Sequence, residues 1–201
     1  MPGTGLNYIQ VEKQIDKKIK KAKYIDYIVR LIVEKGFYKF ILTKLNFQKN
    51  YPELDKLYNF RIISPQEDIN NLSNDEKKFL KKHKIEIRPY HEEPYSYYLE
   101  SKALIVPSSY GEGLSRVVLE ASYIGIPILA TKIRGIEEIL TNKYKYFIKS
   151  TNPFSMSQQL AEMIKDNNYF QKIREKQKTY IKNNFSINKS SNIFIENLFK
   201  K

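Results

Sequence analysis

The chain has 201 residues, 41% hydrophobic and 28% charged, which suits one sizeable soluble domain with its own core. Its net charge of +13 favours anionic partners, leaving phosphorylated small molecules, acidic membrane surfaces and nucleic acid to be weighed. The absence of cysteine excludes disulfides, thiolate metal sites and a cysteine nucleophile, and two histidines, His83 and His91, argue against a histidine-rich metal site.

In chain order, residues 1–23 are polar and lysine-rich, with a glycine-containing turn followed by a charged stretch of helical character. No apolar core follows a basic start, and no apolar run approaches the roughly 20 residues that span a bilayer. A cytoplasmic location is therefore expected, with peripheral contact at a membrane's inner face left open. Residues 24–29 read as a strand, 30–36 as a loop, and 36–49 as a helix from the spacing of Phe37, Phe40, Ile41 and Leu45. A second strand is expected at 58–63, a helix at 74–82 with Asn74 as N-cap, and a third strand at 85–88. A short helix at 94–100 precedes a fully apolar fourth strand at 103–106. Then come a helix at 114–124, a strand at 127–130, a helical turn at 136–140 and a sixth strand at 146–148. Helices are expected over 153–166, 168–183 and 189–199. The lysine runs, such as Lys17-Lys18-Ile19-Lys20-Lys21, read as solvated helix faces. Strands alternating with helices predict an α/β fold with an open, mostly parallel sheet of about six strands flanked by helices.

In such a sheet, ligands bind beyond the carboxyl ends of the strands. After the first expected strand come Arg30 and Lys35, five residues apart and followed by Gly36. Arginine offers phosphate oxygens a planar fork, lysine a mobile charge, and a helix N-terminus adds backbone donors. Read alone, these are better taken as two surface cations on a turn. After the fourth strand, Gly111 and Gly113 flank Glu112, so backbone can approach a ligand closely. Glu120 follows eight residues later among apolar neighbours, where a carboxylate needs a partner or a ligand. A carboxylate accepts two hydrogen bonds from a vicinal diol, which suits ribose or hexose. The alternative makes Glu120 an exposed helix residue and Glu112 a partner of the helix dipole.

Residues 107–140, with Glu112-x7-Glu120 at their centre, resemble the Glu-x7-Glu signature of group 1 (family 4) glycosyltransferases. Arg30-Leu31-x3-Lys35-Gly36 resembles that family's diphosphate-binding element, with Val29 where the family carries glycine. Residues 2–7 resemble the linker that enters the second domain. The resemblance implies a Rossmann-like domain, the C-terminal half of a GT-B fold. It divides the chain into a linker remnant (1–10), a nucleotide-sugar-binding domain (11–184) and a terminal helix (185–201) that would cross to a missing N-terminal domain. It further implies that Arg30 and Lys35 hold the donor diphosphate as it leaves, with Glu112 as the third catalytic residue, holding donor-sugar hydroxyls near the reacting carbon. Gly113 and Leu114 would offer backbone N–H groups, Glu120 would bind the ribose hydroxyls, and residues 88–91 would border the nucleobase. No cofactor or metal is required, because Arg30 and Lys35 supply the positive charge.

The implied partners are a nucleotide sugar, an acceptor glycan or lipid-linked glycan of cell-surface polysaccharide or lipopolysaccharide assembly, a separate N-terminal-domain subunit, and an acidic membrane surface. The competing reading is a truncated or non-catalytic nucleotide-sugar-binding module. A nucleic-acid partner is not expected, because no binding motif accompanies the basic residues.

Overall fold

The apolar and β-prone runs of the first 130 residues become neighbouring strands of one sheet. The computed structural model describes residues 5–15, 22–90, 94–110 and 113–187. Its strands are β1 (Tyr24–Ile28), β2 (Asn59–Ser64), β3 (Ile85–Pro89), β4 (Ser101–Val106) and β5 (Ile128–Ala130). They lie in the order β3-β2-β1-β4-β5, and every neighbouring pair is parallel. β1 is buried along its whole length and β4 nearly so, which is why their sequences are almost continuously apolar.

The sheet is entirely parallel and has five strands, not six. Residues 146–148 form only an isolated bridge between Ala130 and Phe147, secured by the Ile148 N–H donating to the Ala130 carbonyl at 2.7 Å. Tyr146, Phe147 and Ile148 are all buried. Their apolar character reflects packing at the sheet margin, not a ladder of hydrogen bonds.

The helices are α1 (Tyr8–Ile15), α2 (Phe37–Asn50), α3 (Pro52–Leu57), α4 (Gln66–Asn70), α5 (Asn74–Lys82), α6 (Arg116–Ile124), α7 (Arg134–Leu140), α8 (Pro153–Lys165) and α9 (Asn167–Phe185). Three expectations change. The helix expected at 94–100 is two single 3-10 turns, Pro94–Ser96 and Tyr98–Glu100. The cap of α5 is Ser73, whose hydroxyl accepts from the Glu76 N–H while Glu76 reaches back to Ser73, so Asn74 is the first helical residue. Gly113 and Leu114 precede α6 and do not belong to it. The helix expected at 189–199 lies outside the described residues.

The chain steps from β1 to β2 and β3 on one side, then returns to lay β4 and β5 on the other. Right-handed crossovers in opposite directions put α2 and α6 on opposite faces. Their entry loops therefore leave the carboxyl ends of β1 and β4 toward opposite faces, the place where sheets of this topology carry a ligand crevice. On the α2 face the Tyr27 ring stacks on Phe40 at 5.0 Å, and Phe60 meets Phe40 at 5.6 Å and Phe47 at 5.5 Å. Burying each such ring contributes about 1.5–3 kcal/mol. α8 packs against α2, and α9 against α6.

The opposite face of β1 and β2 carries charge. Asp26 and Arg61 are register partners, so their side chains leave the sheet on one side. Arg61 donates from Nε to Asp26 Oδ1 at 2.7 Å and from Nη2 to Oδ2 at 3.0 Å, and both side chains are 0% exposed. Two further donors go to Glu100 Oε2 and the Tyr97 carbonyl, each at 3.1 Å. The Ser101 hydroxyl donates to Asp26, and the guanidinium lies 3.8 Å from the Tyr24 ring centroid. Burial pushes the Asp26 carboxyl above its ordinary range, while the bonds from Arg61 pull it back.

Candidate donor site

Two loops frame the crevice and are fastened to each other. In the loop after β1, Val33–Lys35 makes a 3-10 turn that ends at Gly36, in the left-handed region at φ 84°. Gly36 serves both as the end of that turn and as the N-cap of α2. A Cβ there would stand 2.5 Å from the Pro107 carbonyl, so only glycine permits this approach of the loop after β4. Ser109, two residues further on, donates to the Glu34 carbonyl from its backbone N–H at 2.8 Å and from its hydroxyl at 3.1 Å.

Arg30 projects from the first loop with 60% of its side chain exposed, but it is held in place. Its Nε donates to Asp68 Oδ2 at 3.3 Å and its Nη2 to Asp68 Oδ1 at 2.9 Å. Asp68 lies in α4, just beyond the carboxyl end of β2, and is itself buried. It also accepts from the Leu31 N–H at 2.8 Å and from the Ser64 hydroxyl at 3.5 Å. The bond from Arg30 holds the Asp68 carboxyl below its ordinary range despite burial. Lys35 sits half-buried immediately before Gly36 and the unpaired N–H groups of α2's first turn.

Across the crevice, Glu120 is 5% exposed on α6. Its Oε2 accepts from the Tyr98 hydroxyl at 3.0 Å, and its Oε1 from Arg116 Nε at 2.8 Å. Burial, then the Glu120 charge, pushes the Tyr98 hydroxyl far up, so it remains a donor. Tyr95 hydrogen-bonds into the same Glu120–Arg116 pair. Arg116 repeats the pattern of Arg30: a largely exposed guanidinium, 69%, held through Nε by a buried carboxylate. Tyr90, just past β3, lies between the two halves. Burial raises its phenol, and the charges of Asp68 and Glu120 add to the effect.

The structure thus brings Arg30, Lys35 and Glu120 to one end of the sheet. Gly113 is exposed there, with no atom within 4 Å of where its Cβ would stand, and Leu114 is half-buried beside it. Glu112, Gly111 and His91 lie outside the described residues. The partners of the expected residues, namely Asp68, Tyr98, Tyr95 and Arg116, were not anticipated. Two had a readable signal. Arg116 stands four residues before Glu120 on one helix, an ion-pair spacing, and Asp68 follows a strand end where ligands collect. Tyr95 and Tyr98 reach Glu120 only through the tertiary fold. A cavity of about 330 Å³, lined by Lys102, Pro127, Asn167 and Arg174 among others, lies at the opposite end of the strands. Among the described residues no helix is long and apolar enough to cross a membrane.

Comparison with known proteins gives the family and the fold. The family model described as glycosyl transferases group 1 matches residues 9–184. The chain is 24% identical over 193 residues to the capsular polysaccharide biosynthesis glycosyltransferase CapM of Staphylococcus aureus, covering 90% of this chain and 49% of CapM. Its fold matches a glycosyltransferase of Rickettsia africae ESF-5 with a TM-score of 0.71 at 21% identity, over 100% of this chain and 54% of that one. It also matches Anabaena HepE, solved in complex with UDP and glucose, with a TM-score of 0.72 at 14% identity, over 98% and 54% of the two chains. The chain therefore spans about half the length of these relatives.

Proposed function

The chain belongs to the group 1 glycosyltransferases, and from that premise we propose that it is the donor half of a retaining transferase, moving a hexose from a nucleotide-diphosphate sugar to a glycan. The observation that carries this reading is the fastened pair of loops at the sheet's switch point, with Lys35 leading into the N-terminus of α2 and Arg30 held open to solvent on Asp68. Three sources of positive potential converge there, as a departing diphosphate requires.

In the reaction, the bond between the anomeric carbon and the diphosphate oxygen breaks, and its electron pair leaves with the diphosphate. The acceptor hydroxyl oxygen bonds to the same face of that carbon. Its proton passes to the departing phosphate oxygen, the nearest base under retention. Arg30 and Lys35 stabilise the charge that develops on the leaving group, so no metal is needed for that task. Glu112 holds hydroxyls of the donor sugar, and Gly113 and Leu114 offer backbone N–H groups. Glu120 has spare acceptor sites for a ribose diol beside its bonds to Tyr98 and Arg116, since a carboxylate offers about four. The acceptor, a glycan or lipid-linked glycan of a cell-surface polysaccharide, enters from a partner domain. The work takes place in the cytoplasm at the inner face of the membrane.

Calorimetry with UDP- and GDP-hexoses, followed by a transfer assay, tests this. Wild type is expected to bind a donor. Lys35→Ala and Glu112→Ala should each lower transfer by roughly 10²–10³-fold, the scale of losing one group that stabilises developing charge. Donor binding without turnover would favour a binding module, and no donor binding at all would remove both readings.

A further inference from the structure

We propose that Asp68 is a positioning residue for the donor diphosphate, fixing one edge of Arg30 so that the other is presented to the phosphates. This rests on the donor-site reading above. A guanidinium carries five N–H groups. Asp68 takes the Nε hydrogen and one on Nη2. The two Nη1 hydrogens and the second Nη2 hydrogen remain, on the edge that can still grip a phosphate with two parallel bonds. The side chain is 60% exposed, whereas its Asp68 anchor is 6% exposed, so the cation is open to solvent while its orientation is set from beneath.

Asp68 is suited to the task because it is fixed from three directions. The Leu31 N–H, the Ser64 hydroxyl and Arg30 itself all donate to it. These tie the loop after β1 to the end of β2. An arginine without such an anchor would have to give up its rotamer freedom on meeting the ligand, which lowers affinity.

A simpler account leads to the opposite outcome. Asp68 is a negative charge close to where a diphosphate would bind. If it acted only through the field, Asp68→Asn would remove repulsion and tighten binding. The positioning account requires weaker binding.

The test is calorimetry of UDP, and of GDP, ADP and dTDP should UDP fail, against wild type, Asp68→Asn, Arg30→Ala and the double variant. Asp68→Asn is expected to weaken UDP binding about tenfold, the scale of one charge-assisted hydrogen bond. In the Arg30→Ala background it should weaken binding no further. Arg30→Lys disturbs no backbone contact and cannot form the fork, and it should lose about as much as Asp68→Asn. The Arg30 Nε–H resonance should be protected from exchange in wild type and lose that protection in Asp68→Asn. Unchanged or tighter binding by Asp68→Asn, or an equal loss without Arg30, would overturn the proposal while leaving the donor site standing. A wild type that binds none of the four nucleotides would overturn the donor-site reading and this inference together.

Discussion

Among the described residues, arginines rest on buried carboxylates in two ways, which differ chiefly in whether the guanidinium meets solvent. Arg61 and Asp26 are both enclosed, and four of the five guanidinium N–H groups meet acceptors while its face lies on the Tyr24 ring. Arg30 and Arg116 rest on buried carboxylates but remain 60% and 69% exposed. The enclosed pair is shut away from any ligand. It joins β1, β2 and the segment before β4, and it serves the sheet. The open pairs keep donors in reserve at the end of the sheet where the strand order reverses. Chemistry that looks the same in sequence is thus divided by burial into structure and recognition.

Removing one member of each pair tests this division most directly. Asp26→Ala leaves a fully buried guanidinium with only Glu100 as its counter-charge and should cost about 3–5 kcal/mol of stability in urea unfolding. A loss below about 1 kcal/mol would mean that the pair is not holding the sheet. Gly36→Ala comes next. It forces a Cβ into the Pro107 carbonyl at a positive φ, for an expected cost of about 1–3 kcal/mol together with weaker donor binding, because the two loops must part. Arg30→Ala should change stability by less than about 1 kcal/mol, as for an exposed partner, while markedly weakening nucleotide-diphosphate binding. A large loss of stability there would erase the contrast with Arg61.

The smallest effect is a dependence on pH. The folded-state pKa of Asp68 is held below its ordinary 3.8. Its contribution is complete above that value and is lost as pH falls through the lower folded value. The stability difference between wild type and Asp68→Asn should be constant from about pH 7 to pH 5 and shrink only below about pH 4. Shrinkage already at pH 6 would show that the carboxyl is not held low.

Much of this was legible in the residues because it depends on local pattern. The fully apolar run at 103–106 could only be a buried strand, and strands alternating with helices marked a parallel sheet. Residues 146–148 misled because burial at a sheet margin selects the same apolar side chains as a ladder does. Arg30, Lys35 and Glu120 stood out by spacing, while of their supports Arg116 carried only a spacing signal, Asp68 only a positional one, and the tyrosines none. Asp68 is 38 residues from Arg30, and Tyr98 is 22 from Glu120. Asp68 meets Arg30 through the loops after β2 and β1, Tyr98 meets Glu120 through the crossover from β3 to β4, and neither pairing leaves a periodic trace.

That crossover has a practical consequence. Within a few residues it turns Tyr95 and Tyr98 toward Glu120, and the Tyr97 carbonyl and Glu100 toward Arg61. The two sets share one short backbone, so neither can shift without pulling on the other. In a library screened for altered donor preference, substitutions at Asp26 or Ser101 should therefore surface as hits although neither side chain lies at the crevice. A designer who wants to retune the pocket without destabilising the scaffold should vary Arg116 and Tyr90 and leave residues 95–101 alone.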